Sequence, residues 1–252
     1  VTLSKYVSDC MDKEGKFRGL GYIIKTTMYC AVPTVLVMMQ PDFGTAFVFI
    51  CIMVFIYFIG RISWGYILTA AGGLAVCMPL AYYFVLSDSQ RERIDVFINP
   101  ESDLQNSGYN VAQSKIAIGS GQLTGKGFFS EGTLAQLRFV PERHTDFIFA
   151  GIVEGLGFVG GTIIICLFFA LIFRWIYIAM RTKDSFGTCL VVGVAGMFTA
   201  HVFENIGMTI GLMPVTGIPL PFISYGGSNL LTNLIGVGIV ENVWMRRQSK
   251  KR

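Results

Sequence analysis

Charge is scarce in this sequence, and its cysteines follow no pattern. Only 14% of the 252 residues are Asp, Glu, Lys or Arg, where a soluble domain carries about a quarter. That deficit argues against a soluble globular chain. The six cysteines (Cys10, Cys30, Cys51, Cys77, Cys166 and Cys189) show no paired spacing, and all but Cys10 lie within apolar runs. A disulfide framework or zinc site is therefore not expected, and the cysteines read as small, polarizable packing residues. There is no internal repeat or low-complexity segment, and no signal-peptide pattern precedes the first apolar run. The chain opens on Val1 rather than Met and is read as a fragment. Its net charge of +4 is informative only through its placement, and no nucleic-acid partner is expected.

Apolar residues fill the space that charge leaves. They make up 53% of the chain, with a mean hydropathy of +0.58, and they come in long runs bounded by polar residues, Gly or Pro. Roughly 20 apolar helical residues cross a bilayer, so these runs predict six spans over 21–39, 44–62, 64–86, 147–177, 186–212 and 222–244. The fold class expected is an all-α, polytopic integral membrane helical bundle, because irregular backbone cannot face lipid. Pro33 and Pro79 fall inside spans, where neighbouring helices accommodate kinks.

Basic residues orient the spans. Lys5, Lys13, Lys16 and Arg18 precede the first; Arg174, Arg181 and Lys183 flank the connection after the fourth; Arg246, Arg247, Lys250, Lys251 and Arg252 follow the last. An even span count puts all three groups, with Arg61, in the cytoplasm. The organisation is then a basic cytoplasmic segment (1–20), three transmembrane helices (21–86), a large extracellular loop (87–146), three more transmembrane helices (147–245) and a basic cytoplasmic tail (246–252). The loop is too long for a mere connection. Tyr109, Ala112, Ile116 and Gly119 recur in it at helical spacing, which predicts a short helix on the membrane surface.

Several clusters carry possible chemistry, each with a structural alternative. Asp42, in Gln40-Pro41-Asp42-Phe43-Gly44-Thr45, is a helix N-cap or a carboxylate at the outer mouth of a cavity. Glu142, Arg143, His144, Thr145 and Asp146 stand where the loop becomes a span. Partial desolvation there raises a carboxylate's proton affinity towards that of a general base, whereas Thr145 or Asp146 equally suits a cap. Asp146 lies deepest and is the better base candidate. Lys115, Lys126, Arg138 and Arg143 share one loop and suit phosphate or pyrophosphate, or mere solubility. His201, Glu204 and Asn205 fall on one face of the fifth span, for metal binding, proton relay or interhelical hydrogen bonds. Lys25 can snorkel to the inner surface, and Glu154 should face protein or water. The Pro-rich stretch 214–228 reads as a rigid outer turn ending in small residues that permit close helix approach.

Together these segments resemble the SEDS family (shape, elongation, division and sporulation). The residues that carry the resemblance are QPDFGTA at 40–46, NSGYNVAQSKIAIGSGQLTGKG at 106–127, PERHTDFIF at 141–149, and the run from Asn205-Ile-Gly-Met to Ser228. IDVFINPESD at 94–103 and the end of the last span look more like the RodA branch than the division-specific one. The sequence departs from the family at Glu154-Gly155, often paired glutamates, and at Gly121-Gln122, often Gly-Gly.

The resemblance implies the C-terminal six spans of a ten-span polymerase in the bacterial cytoplasmic membrane. Such an enzyme joins lipid II, the undecaprenyl-pyrophosphate-linked disaccharide-pentapeptide, into glycan strands on the outer face during elongation and shape maintenance. The family's proposed catalytic aspartate falls on Asp146, which would take the proton from the acceptor's 4-hydroxyl as it attacks the donor's anomeric carbon. An α-linked donor then gives a β-linked product in one inverting displacement. Lys115, Lys126, Arg138, Glu142, Arg143 and Asp42 are candidate substrate-binding residues. A divalent cation, Mg or Mn, is an expected cofactor, with Asp42 or Asp146 as possible ligands. Expected partners are a class B penicillin-binding protein transpeptidase, the elongation machinery and membrane lipids. Two other readings stand beside this one. A lipid II flippase would depend on Lys25, Glu154, His201 and Glu204, and a scaffold recruiting the transpeptidase would tolerate loss of Asp146.

Overall fold

The computed structural model describes residues 1–14, 20–40, 42–60, 62, 65–66, 68–69, 72–73, 79, 82–84, 88–99, 107–127 and 145–246. No strand occurs among them. Among the described residues the helices run in the order α1 (Thr2–Glu14), α2 (Leu20–Met38), α3 (Phe43–Ile59), α4 (Asp88–Ile98), α5 (Ser107–Ser120), α6 (Ile148–Arg181), α7 (Ser185–Ile210) and α8 (Gly227–Arg246). α6, α7 and Gly21–Met38 are long and apolar enough to cross a membrane, and α3 is a shorter apolar helix. The chain is a multi-pass helical membrane protein.

Five of the six expected spans fall on helices, and most of the expected span 64–86 lies outside the described residues. The last helix starts at Gly227 rather than near Phe222, because residues 221–225 form turns and bends. α1 and α4 were not anticipated. α1 carries alternating polar and apolar residues and no run long enough to signal a span.

The structure divides into two compact units, one of residues 1–91, 173–197 and 235–252, the other of 92–172 and 198–234. In the first, Val7 and Cys10 of α1, Ile56 of α3 and Cys189 of α7 form the core with Ile62. α2 and α3 pack through a hydrogen bond between Thr27 Oγ1 and Tyr57 Oη (2.8 Å). Pro33 cannot donate within α2, and nearby Thr34 Oγ1 donates to the Cys30 carbonyl at 2.7 Å. Ser185 Oγ donates to Asp12 Oδ1 at 2.6 Å, and a methyl on Gly187 would lie 3.1 Å from Val243 Cγ1. The N-terminal helix, the connection before α7 and the end of α8 therefore meet. Arg174 stacks 4.8 Å from the Trp244 ring, with Tyr177 beside it, an aromatic and basic pairing suited to a membrane interface.

The second unit is organised around a break in α6. Gly157 has φ 71° and ψ −172°, outside the helical region. In a regular helix the Glu154 and Gly155 carbonyls would accept from the amides of Phe158 and Val159. Here the loop after α5 satisfies both sides. Lys126 N–H donates to Glu154 O (2.9 Å) and Gly127 N–H to Gly155 O (3.0 Å), while Phe158 N–H donates to Gln122 O (2.8 Å) and Val159 N–H to Leu123 O (3.2 Å). Two helical bonds are replaced by four, which keeps a broken span free of unsatisfied backbone. Glycine makes the approach possible. A Cβ on Gly125 would collide with the Gly155 carbonyl, and one on Gly157 with the Leu123 carbonyl and the Gly125 amide. The predicted helix around Tyr109–Gly119 is α5. It is tied to α7 through the fully buried Ser114, whose hydroxyl donates to Thr209 O at 2.8 Å.

Candidate active site

Asp146 sits in the turn that opens α6, half-buried, next to the nearly fully buried Phe147. Its surroundings come from sequence far away. Asn205, fully buried on α7, donates through Nδ2 to the Asp146 carbonyl (2.9 Å) and to the Ile218 carbonyl (2.7 Å). Ser224 accepts from the Leu220 amide (2.7 Å) and donates to the Thr145 carbonyl (2.6 Å). The Pro-rich segment is thus bonded to both residues of the Thr145-Asp146 pair. A methyl on Gly217 would lie only 3.3 Å from Asp146 Oδ2, so the carboxylate rests against bare backbone at φ +78°. Phe222 adopts φ +63°, a strained conformation for an aromatic residue, and its ring packs 5.4 Å from Phe198. Thr216 Oγ1 and Asn205 Oδ1 are buried with no hydrogen-bond partner among the described residues.

Asp146 is thus a half-buried carboxylate with one oxygen near bare backbone and its own carbonyl bonded to Asn205, an arrangement that suits proton transfer. Asn205 takes the hydrogen-bonding role, but its targets are the backbone of the site rather than side chains of a neighbouring helix. Ser224 and Gly217 were not singled out from the sequence, since a Pro-rich turn carries no local sign of which distant residue it will touch.

The cations divide. Lys115 lies with its ammonium end against Gly211, whose φ of +76° and missing side chain make room for it. Lys126 Nζ is 3.8 Å from Oε1 of the buried Glu154, so this ion pair sits at the break in α6. Arg138, Glu142 and Arg143 lie outside the described residues. In the first unit, Asp42 caps α3. Its Oδ1 accepts from Thr45 N–H (3.0 Å) and its Oδ2 from Thr45 Oγ1 (2.7 Å). Among the described residues no three His, Cys, Asp or Glu converge as a cation site, so a resident divalent ion finds no carboxylate cluster there.

Apolar helices long enough to span a bilayer, one of them broken and preceded by the half-buried Asp146, define the class: a multi-pass helical membrane protein. The FtsW/RodA/SpoVE family model, described as cell cycle protein, matches residues 1–249, and the chain belongs to this family. The peptidoglycan glycosyltransferase MrdB of Escherichia coli is 44% identical over 217 residues, 86% of this chain and 58% of that protein. Stage V sporulation protein E of Bacillus subtilis is 42% identical over 215 residues, 82% of this chain and 56% of the relative. Among solved structures, a chain described in the structural coordination of polymerization and crosslinking by a peptidoglycan synthase complex superposes with a TM-score of 0.81. It is 27% identical, and the match covers 98% of this chain and 68% of that one. Rod shape determining protein RodA of Thermus thermophilus superposes with a TM-score of 0.64 at 26% identity, covering 98% and 63%. The chain thus spans 58% of the length of MrdB.

Proposed function

We propose that the protein is a peptidoglycan glycosyltransferase that polymerises lipid II into glycan strands at the outer face of the cytoplasmic membrane, with Asp146 as general base. The observation that carries this reading is the seating of Asp146. Its backbone is held by Asn205 and its carboxylate by the wall at Gly217, within a family whose relatives include proteins named peptidoglycan glycosyltransferases. Asp146 accepts the proton of the acceptor's 4-hydroxyl as that oxygen attacks the donor's anomeric carbon, and the diphosphate leaves from the opposite face. One displacement inverts the α-linked donor to a β-linked product, without a covalent intermediate.

The orientation rests on the three basic groups, which carry the N-terminal helix, the connection before α7 and the end of α8 into the cytoplasm. The segment bearing Asp146, α5 and the Pro-rich turn then face outward, where the donor's sugar is displayed. The partner proposed is a class B penicillin-binding protein transpeptidase, in keeping with the synthase complex that the chain resembles. A Mg or Mn ion enters this reading as a counter-ion brought by the donor's diphosphate, and no step is routed through it.

The test is reconstitution of the full-length protein with its transpeptidase partner in vesicles bearing lipid II. Growth of glycan strands supports the polymerase. Passage of lipid II across the bilayer without strand growth would replace it with the flippase reading.

A further inference from the structure

A concavity in the second unit lies beside the site already described. Arg93 of α4 and Lys115 of α5 line it, together with Val111, Gly211 and Val215. Its remaining walls are apolar, and no acidic side chain among the described residues lines it. Neither cation has a hydrogen bond or ion pair with a described residue. The ammonium end of Lys115 lies against Gly211, and Val111 and Val215 belong to the same small core as Phe147. Two cations lining one concavity with otherwise apolar walls suit an anion, and low local polarity strengthens the attraction to it.

We infer that Arg93 and Lys115 bind the diphosphate of the polyprenyl-linked donor. The inference rests on the glycosyltransferase reading and extends it to a residue, Arg93, not otherwise placed in the site. Position supports it. Val215 lines the concavity while Gly217, two residues on, backs the Asp146 carboxylate, so their Cα atoms are separated by at most about 7 Å. Phe147, next to Asp146, sits in the core beneath. One short piece of the Pro-rich turn therefore borders both the base and the anion site. In the transfer step the acceptor oxygen bonds to C1 and the C1–O bond to phosphate breaks. The electron pair leaves on the diphosphate, and the hydroxyl proton passes to Asp146. Arg93 offers a planar pair of N–H donors to two phosphate oxygens and Lys115 a point charge, both placed where negative charge develops. The apolar walls suit the first isoprene unit.

The test uses purified full-length protein and farnesyl diphosphate as a short-chain probe, titrated in detergent, with strand synthesis measured in parallel. Wild type and Asp146→Asn bind the probe alike, farnesol does not bind, and excess phosphatidylglycerol does not displace it. Arg93→Ala and Lys115→Ala each weaken binding about tenfold, and the double variant by more. Should alanine unfold the protein, Arg93→Gln/Lys115→Gln keeps length and polarity without charge and must show the same loss. Unchanged probe affinity in the folded double variant overturns the site, as does equal displacement by phosphatidylglycerol. Strand synthesis that survives Asp146→Asn, with probe binding still lost in the double variant, would sink the catalytic reading while leaving the anion site standing.

Discussion

Asn205 donates to the backbone carbonyl of Asp146 at 2.9 Å, and the same amide nitrogen donates to Ile218 at 2.7 Å. One buried side chain therefore joins the start of α6 to the turn that walls the Asp146 carboxylate. Asn205→Ala leaves two carbonyls short of a donor at about 1–3 kcal/mol each. We expect a stability loss of about 2–6 kcal/mol and at least a tenfold fall in strand synthesis. Asn205→Asp, which replaces the donor with an acceptor, should cost more. Thermal unfolding and gel-resolved glycan products check both.

Gly217→Ala addresses the carboxylate from the other side. The residue's φ of +78° already costs a non-glycine about 1–2 kcal/mol, and the new methyl would stand 3.3 Å from Asp146 Oδ2. Moving the base without touching the anion site should lower kcat and leave KM for lipid II unchanged. A rise in KM at constant kcat would instead place Gly217 in substrate binding.

The break in α6 makes a third prediction. Gly125→Ala and Gly157→Ala each drive a Cβ into backbone and disrupt the four bonds between loop and span. Losses above about 3 kcal/mol are expected. Gly151→Ala, in the same helix with nothing within 4 Å of the added methyl, should be neutral or stabilising by up to about 1 kcal/mol. Unfolding temperatures of the three variants in one detergent decide it. Equal effects would mean that the interlock does not hold the loop.

Gln122 stands at φ +49°, in the left-handed region and at the position where the sequence departs from the family's usual glycine. Its carbonyl accepts from Phe158, so the conformation is held by the loop-to-span bonds. Gln122→Gly relieves strain of about 1–2 kcal/mol against a greater loss of chain entropy on folding. A small net rise in unfolding temperature is expected, with strand synthesis unaltered.

Much of the fold was legible because a bilayer demands it. Runs of apolar residues mark α2, α3, α6 and α7 to within a few residues at most ends. The α8 start was misplaced because hydropathy does not distinguish a buried turn such as 221–225 from the helix it precedes. The break at Gly157 was not legible either, since glycine is common in membrane helices and the bonds that repair the break join residues 28 or 36 positions apart. At the site, Asp146 and Asn205 could each be singled out, but not their bond. Lys115 and Lys126 looked equivalent in sequence, and only packing distinguishes a cation lying against Gly211 from one paired with buried Glu154.

The central claim is that Asp146 accepts the acceptor's proton. The direct measurement compares full-length wild type with Asp146→Asn, each bound to its transpeptidase partner, in strand synthesis from purified lipid II. The account predicts strands from wild type and none from a variant that folds, captures its partner and still binds farnesyl diphosphate. Equal strand synthesis by the two proteins would contradict it and remove Asp146 from the chemistry.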